Sequence, residues 1–297
     1  MSIVKDYIEE CRVVPGNKVR LKNYDSGWAG DKKIPKEDRK KYAEEELAKS
    51  VGELAKAQEL LYAADAWSVL MVFQALDAAG KDGTIKHVMS GINPQGCQVY
   101  SFKHPSTEEL DHNFLWRCMK VLPERGRIGI FNRSYYEEVL IAKVHPEIVA
   151  AQHIPDAKTN DKFWQGRYDD INNFERHLVR NGTIIMKFFL HLSREEQRRR
   201  FLDRLNDPNK HWKFSPSDLK EREYWDQYQT AYEEALEATS TKWAPWYIIP
   251  ADNKWVSRAL VARILTTGID GLELKFPEVS PALQEQITAA KKQLAAE

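Results

Sequence analysis

The sequence predicts an α/β fold in three layers, a five-stranded parallel sheet with helices on both faces. Five short apolar runs, Val69–Phe73, Gln98–Phe102, Gly126–Phe131, Thr183–Leu192 and Trp246–Ile249, are separated by segments of helical character. Strands that are each followed by a helical stretch return to the sheet by crossovers, and crossovers make parallel neighbours. The first run is continuously apolar rather than alternating, as a central strand covered on both faces must be. Directly after it comes a turn of small residues carrying a lysine, the pattern of a strand that feeds an anion-binding loop and then a helix.

Taken in chain order, the segment before about Lys36 is polar and turn-rich, with Pro15-Gly16, Asp25-Ser26-Gly27 and Gly30-Asp31. Residues 1–35 are therefore expected to form an extension draped over the domain. From Glu37 to Ala63 the apolar positions Ala43, Leu47, Val51, Leu54 and Leu61 recur at helical steps with charges between them. Asn93-Pro94-Gln95-Gly96 turns the chain into the second strand. His104-Pro105 ends that strand, and Ser106 with Glu109 spells a capping box for a helix predicted to reach Val121. The third strand stops at a polar break, Asn132-Arg133-Ser134. A helix from Phe163 to Val179 is closed by Asn181-Gly182. After the fourth strand, Ser193 and Glu196 spell a second capping box, opening a helix with Arg198, Arg199, Arg200 and Arg204. Pro250 ends the fifth strand, and Asp252–Leu265 and Pro281–Ala296 read as closing helices. The main domain is thus expected at 36–275 and a C-terminal helix within 276–297.

The loop after the first strand is where the chemistry is expected. Ala78, Ala79 and Gly80 leave the backbone almost bare, so successive N–H groups can point at an anion. The helix that starts near Lys81 adds its N-terminal partial charge, and Lys81 adds a full one. Against the phosphate-loop fingerprint G-x-x-x-x-G-K-S/T, Ala75 replaces the first glycine and Asp82 replaces the metal-holding hydroxyl. Alanine is tolerable if the turn there has negative φ. Asp82 is expected to point away from phosphates, because like charges ~4 Å apart repel by about 4 kcal/mol even at an effective dielectric of 20. Asp77 is then the nearest hard oxygen ligand for a metal. The plainer alternative is a strand-turn-helix with a chance Gly-Lys.

In an open parallel sheet, ligands bind at the carboxyl ends of the strands. That rule gives weight to Asn132, Arg133, Glu137 and Glu138 after the third strand. Asn132 stands where such enzymes usually carry an aspartate that supports magnesium, and it cannot carry the charge. By themselves Glu137 and Glu138 could equally be a solvated helix face. The stretch from Arg194 to Arg222 is locally basic and interleaved with His211, Trp212 and Phe214. It is either an amphipathic helix with Phe201, Leu202 and Leu205 inward, or a lid at about 194–225 that closes Arg194, Arg198, Arg204, Lys210, Lys213 and Arg222 over a polyanion.

Composition narrows the setting. Among 297 residues, 44 Lys and Arg balance 44 Asp and Glu, so no overall field points to nucleic acid or membrane, and basic sites must be local. Three cysteines, Cys11, Cys97 and Cys118, are too scattered for a disulfide framework or a C-x-x-C metal site. No apolar run approaches the ~18 residues of a membrane helix, and the N-terminus lacks a signal-peptide core, so a cytoplasmic protein is expected.

Several motifs together resemble one family. They are Phe73-Gln-Ala-Leu-Asp-Ala-Ala-Gly-Lys-Asp-Gly-Thr84, Asn93-Pro-Gln-Gly96, Phe114-Leu-Trp-Arg117, Ile130-Phe-Asn-Arg-Ser-Tyr-Tyr-Glu-Glu-Val139, Lys213-Phe214 with Lys220-Glu-Arg222, and Ala244-Pro-Trp-Tyr-Ile-Ile-Pro-Ala251. This set, spanning roughly Leu60 to Leu265, is similar to the polyphosphate kinase 2 family. The resemblance implies a P-loop kinase fold of thymidylate-kinase type and reversible transfer of a terminal phosphate between inorganic polyphosphate and adenine nucleotides. It implies magnesium, with manganese as a substitute, and a homo-oligomer is expected. It assigns catalysis to Asp77, Lys81, Arg133 and Glu137, with Asp77 also the metal ligand. Phosphate binding falls to Ala78, Ala79, Gly80, Lys81, Asp82, Gly83, Thr84 and Lys86, and nucleotide binding to Asn132, Arg133, Glu137 and Glu138. Asparagine at 132 resembles the branch that accepts both AMP and ADP. The rivals are an ATP-dependent nucleoside monophosphate kinase of the same fold and a nucleotide-binding switch. The switch is disfavoured because the sequence has no N-K-x-D motif and no D-x-x-G after the third strand.

Overall fold

The computed structural model of the chain describes residues 3–155 and 157–297. Strands β1 (Ser68–Gln74), β2 (Cys97–Ser101), β3 (Ile128–Asn132), β4 (Thr183–His191) and β5 (Trp246–Pro250) form one parallel sheet in the order β2-β3-β1-β4-β5. β1 lies in the middle and all of its residues are buried, which is why its run is apolar without alternation. From β1 the chain crosses to the β2–β3 side, and from β3 it crosses back over β1 to reach β4. Connections therefore diverge on the two sides of β1, and a crevice opens at the carboxyl ends of the strands. Pairing of Phe73 with Asn132 and of Gln74 with Phe189 brings the ends of β1, β3 and β4 level there.

Helices α1 (Ile3–Cys11) and α2 (Lys36–Ala64) precede the sheet, and α3 (Lys81–Val88) follows β1. The short α4 (Thr107–Leu110) and α5 (Trp116–Met119) lead to β3, and α6 (Ile141–Val144), α7 (Pro146–Ala150) and α8 (Asp161–Arg180) lead to β4. Between β4 and β5 lie α9 (Arg194–Asn206), α10 (Pro216–Glu221) and α11 (Trp225–Thr239), and α12 (Lys254–Asp270) and α13 (Pro281–Leu294) close the chain. One face of the sheet, with Val69, Met71 and Phe73, packs on Leu54 and Leu61 of α2 and Leu260 and Leu265 of α12. The other face, with Leu70 and Val72, packs on Ile171 of α8 and Leu236 of α11. This is the three-layer arrangement expected of the sequence.

Several local features differ from what the sequence predicts. The helix predicted to run from the Ser106 capping box to Val121 breaks in two, although the box itself forms. The Asn113 side chain accepts from the Leu115 N–H and its carbonyl from the Trp116 N–H, a turn that competes with helix continuation. The second capping box is half made. Ser193 Oγ accepts from the Glu196 N–H, but Glu196 turns to Arg199 and Arg200, and the Ser193 N–H donates to Asp252 Oδ1 instead. The described residues before Lys36 include the helix α1 and set four side chains in the core, Cys11, Val13, Val19 and Leu21, and the Val13 N–H donates to the Trp246 carbonyl on the outer edge of β5. Finally, α11 is a full helix with no counterpart in the sequence reading, and it forms one wall of the site described next. Pro250 is the last residue of β5 rather than its terminator, which suits an edge strand with no outer partner for its missing N–H. No described helix is long and apolar enough to cross a membrane.

Candidate active site

The phosphate-loop candidate spans the end of β1 and the start of α3. Gly80 has φ +104° and Ala78 φ +63°, whereas Ala75 stays out of the left-handed region, so alanine replaces glycine there without strain. Two side chains of α9 hold the loop carbonyls. Arg200, 6% exposed, donates to Ala78 O at 3.0 Å and Ala79 O at 2.8 Å, and reaches past them to Ala251 O at 2.6 Å. Gln197 Nε2 donates to Asp77 O at 3.0 Å. With three consecutive carbonyls drawn toward α9, the N–H groups of Gly80, Lys81, Asp82 and Gly83 have no acceptor among the described residues. They form a row of free donors at a helix N-terminus, which is an anion cradle.

Lys81 is folded back on this loop, its Nζ donating to Ala75 O at 2.8 Å. Burial first, and then the Arg133 charge, lower its amine to a pKa of about 8 against the opposing pull of Asp77, Glu137 and Asp82. Arg133 follows β3 with φ +64°. Its Nη2 donates to Asp77 Oδ1 at 2.7 Å and its Nη1 lies 3.8 Å from Glu137 Oε2. Burial alone would lower the pKa of this guanidinium, but Glu137 and Asp77 outweigh it and raise the pKa, so the group stays charged.

Asp77, Arg133 and Glu137 line one side of a cavity of about 250 Å³. The opposite wall comes from α10 and α11, with Asp218, Glu221, Trp225, Tyr228 and Tyr232, and Leu76, Leu140 and Ile141 add apolar surface. Burial, then Asp77, raises the pKa of Asp218, and burial, then Glu137, raises that of the Tyr232 hydroxyl well above its ordinary value. Tyr228 donates to Glu221 at 2.6 Å, and His145 Nε2 contacts the same carboxylate at 2.9 Å, which ties the α10 wall to α7.

The structure brings the predicted residues together unevenly. Asp77, Lys81, Arg133 and Glu137 converge. Asp82 lies at the same strand ends, where its Oδ1 accepts from Asn132 Nδ2 at 2.7 Å, and Asn132 reaches Ser101 as well. Gly83 passes close to Arg258, Thr84 is buried, and Lys86 is exposed on α3 beyond the cradle. Glu138 parts from these residues and lines a separate small pocket with Ser134, Tyr135 and Gln152. It is 7% exposed and turned away from the cavity onto Arg167 Nε at 2.9 Å and Gln152 Nε2 at 2.7 Å, because successive residues of a 3-10 turn point about a third of a circle apart. Burial raises its pKa against the pull of Arg167.

The basic segment also divides. Arg204 is spent on Lys213 O and Asp218, and Arg222 on Arg194 O and Gln197 Oε1. Arg198 pairs with Glu195 on the exposed face and Lys210 with Asp207, while Lys213 lies over the Trp212 ring. Of Phe201, Leu202 and Leu205, only Phe201 is buried, so the simple inward-facing helix does not describe α9. Sequence reasoning missed Arg200 as a loop clamp and Trp225, Tyr228 and Tyr232 as a wall. The three- and four-residue spacing of Tyr228, Tyr232, Ala235 and Leu236 could have disclosed α11.

Magnesium fits the donor set. Asp77 is one-third exposed and gives Arg133 only one of its oxygens, and Glu137 and Asp82 are close by. Among the described residues no three His, Cys, Asp or Glu side chains gather into a complete cage. One or two carboxylates completed by water and phosphate oxygens are the usual setting for this ion.

Comparison with known proteins gives the arrangement a place. The family model for polyphosphate kinase 2 matches residues 36–277. The chain is 50% identical over 287 residues to the ADP-polyphosphate phosphotransferase of Rhodopseudomonas palustris, covering 96% of this chain and 98% of that protein. It is 44% identical over 278 residues to the AMP/ADP-polyphosphate phosphotransferase of Meiothermus ruber, covering 94% and 98%. The crystal structure of polyphosphate kinase 2 from Arthrobacter aurescens TC1 matches with a TM-score of 0.84 at 38% identity, over 95% of this chain and 96% of that one. A loop cradle, a strand-end arginine held by two carboxylates and this extent of similarity lead to one conclusion: the chain belongs to the polyphosphate kinase 2 family.

Proposed function

We propose that the chain transfers the terminal phosphate of inorganic polyphosphate to AMP and ADP, giving ADP and ATP, reversibly and with magnesium. The observation that carries this reading is the row of free N–H donors at Gly80–Gly83 beside an Arg133 fixed by Asp77 and Glu137 across a walled cavity. A polyphosphate has no base to recognise, so a cradle and scattered cations suffice for it. The nucleotide has a base, and the cavity offers Trp225 and Tyr228 as flat apolar surface. In the reaction an acceptor phosphate oxygen attacks the terminal phosphorus, and the bond to the bridging oxygen of the shortened chain breaks. The cradle and Lys81 bind the donor chain, and Arg133 faces the charge that spreads over the moving phosphoryl group. Asp77 and Glu137 keep Arg133 aimed. Asp77 is also the residue that would hold magnesium, which when bound neutralises phosphate charge and orients the reacting oxygens.

The closing element in this reading is the later part of the 194–225 segment. Arg200 and Gln197 anchor the first turns of α9 to the loop, whereas Leu202, Leu205, Trp212 and Leu219 are exposed apolar side chains beyond them. Closure of that part would exclude water from the transfer. The two curated relatives differ in acceptor, one named for ADP and one for AMP and ADP. Asn132 favours the broader range here. The reading also makes the protein a homo-oligomer of the cytoplasm, where nucleotides are abundant, with 36–275 as its catalytic unit. 31P NMR of the protein with AMP, magnesium and polyphosphate, without ATP, tests it. Growth of ADP and then ATP resonances is the expected result. Transfer to AMP only when ATP is added would favour the nucleoside monophosphate kinase instead.

A further inference from the structure

Beneath the site lies a charge pair the reaction does not touch. Glu175 of α8 and Lys187 of β4 are both fully buried, with Nζ 2.6 Å from Oε2. Every donor of Lys187 is used: on Glu175, on the Tyr136 hydroxyl at 2.9 Å and on Thr239 O at 2.8 Å. The other Glu175 oxygen accepts from the hydroxyls of Tyr135 at 2.9 Å and Tyr136 at 2.8 Å. Such pairs are poor stabilisers, and matched apolar side chains often replace them without loss. What this pair grips are the two tyrosines that, with Ser134, separate Arg133 and Glu137.

Arg133 needs that grip. A non-glycine residue at φ +64° persists only where its surroundings over-determine it. Upstream, the Arg133 N–H donates to Phe73 O at 3.0 Å and so continues the sheet. Downstream, Ser134 Oγ accepts from Gln74 Nε2 and from the Tyr136 N–H, and then both tyrosine rings plunge into the core onto Glu175. We propose that the buried Glu175–Lys187 pair, acting through the Tyr135 and Tyr136 hydroxyls, is a positioning device that holds Arg133 and Glu137 at the reacting phosphate. Glu175 and Lys187 are positioning residues and touch no substrate. The inference rests on the reading of Arg133 given above.

Two variants test it, Glu175→Leu/Lys187→Met, which removes the charges at similar volume, and Tyr135→Phe/Tyr136→Phe, which removes only the hydroxyls. Each is made in the native chain and in Arg133→Ala. Thermal unfolding and steady-state kinetics with polyphosphate and ADP are measured for all. In the native background each variant should unfold cooperatively and lose about 100-fold in kcat, the loss typical of a misplacement of about 1 Å, with KM changed far less. In the Arg133→Ala background neither should lower the residual kcat further. If the charge-pair variant does not fold, the tyrosine variant decides by the same comparison. A folded variant with native kcat, or an equal loss in both backgrounds, overturns the inference. Native activity in Arg133→Ala alone would instead remove Arg133 from the site, a separate failure.

Discussion

Lys81 gives the site a pH response that can be worked out from its surroundings. The amine is held at a pKa of about 8 instead of 10.5, chiefly by burial, so keeping it charged at pH 7 costs the fold about 3 kcal/mol. Below pH 8 the amine is charged in both the folded and unfolded states, and the fold bears the whole cost. Between pH 8 and 10.5 the unfolded chain binds the extra proton, so this residue's contribution to stability rises with pH. The stability difference between the native protein and Lys81→Met in urea should accordingly shift in favour of the native protein across that window. Function runs the other way. Polyphosphate needs the charged amine, so kcat/KM should fall above pH 8 by about tenfold per unit, reporting the free protein. The limb in kcat should lie higher, because a bound polyanion favours the ammonium. Lys81→Arg, which does not titrate in this range, should lack the limb even if its plateau is lower. A limb that survives in Lys81→Arg, or a flat native profile to pH 10, would refute the assignment.

Asp77→Asn should keep the native melting temperature and lose activity that raised magnesium partly restores, read from magnesium titrations of the two proteins. Arg200→Met should release four backbone carbonyls at once, those of Ala78, Ala79, Ala251 and Asp252; at about 1 to 3 kcal/mol for each group left buried and unpaired, a drop in melting temperature together with a higher KM for polyphosphate is expected. Arg198 and Lys213 are exposed, so neutralising them together should leave stability intact, raise KM for polyphosphate and flatten its dependence on salt, while KM for the nucleotide stays put. The same experiment on Arg204 should also disturb the nucleotide side, because Arg204 holds Asp218 in the cavity wall.

How far the sequence discloses the site depends on how local the governing force is. The central strand was legible because burial on both faces demands an unbroken apolar run, and the cradle because small residues before a helix leave few other uses for the backbone. The rule that ligands gather at strand ends gave weight to Asn132, Arg133, Glu137 and Glu138 alike, and only the family resemblance singled out Arg133 and Glu137. The direction of a side chain within a known element did not follow. Arg198, Arg199 and Arg200 are consecutive, yet one is solvent-exposed on Glu195, one bridges Glu196 and Asp203, and one clamps the loop from a buried position. Arg200 shares its buried face of the helix with Gln197 and Phe201, and Gln197 is held on the loop at Asp77 O, a tertiary contact. Glu137 and Glu138 part for a similar reason, since a 3-10 turn and an α-helix of the same residues would present different faces. The aromatic wall of α11 stands far along the chain from the loop it faces, with no motif of its own to announce it.

The central claim is that two substrates meet here, polyphosphate on the loop and the nucleotide in the cavity. A crystal structure with ADP and a non-transferable polyphosphate analogue tests it most directly. The account predicts analogue phosphates against the Gly80–Gly83 N–H groups and Lys81, the ADP phosphates on Arg133, and the base between the strand ends and Trp225 or Tyr228. The nucleotide phosphates seated on the loop, with the analogue elsewhere, would contradict it.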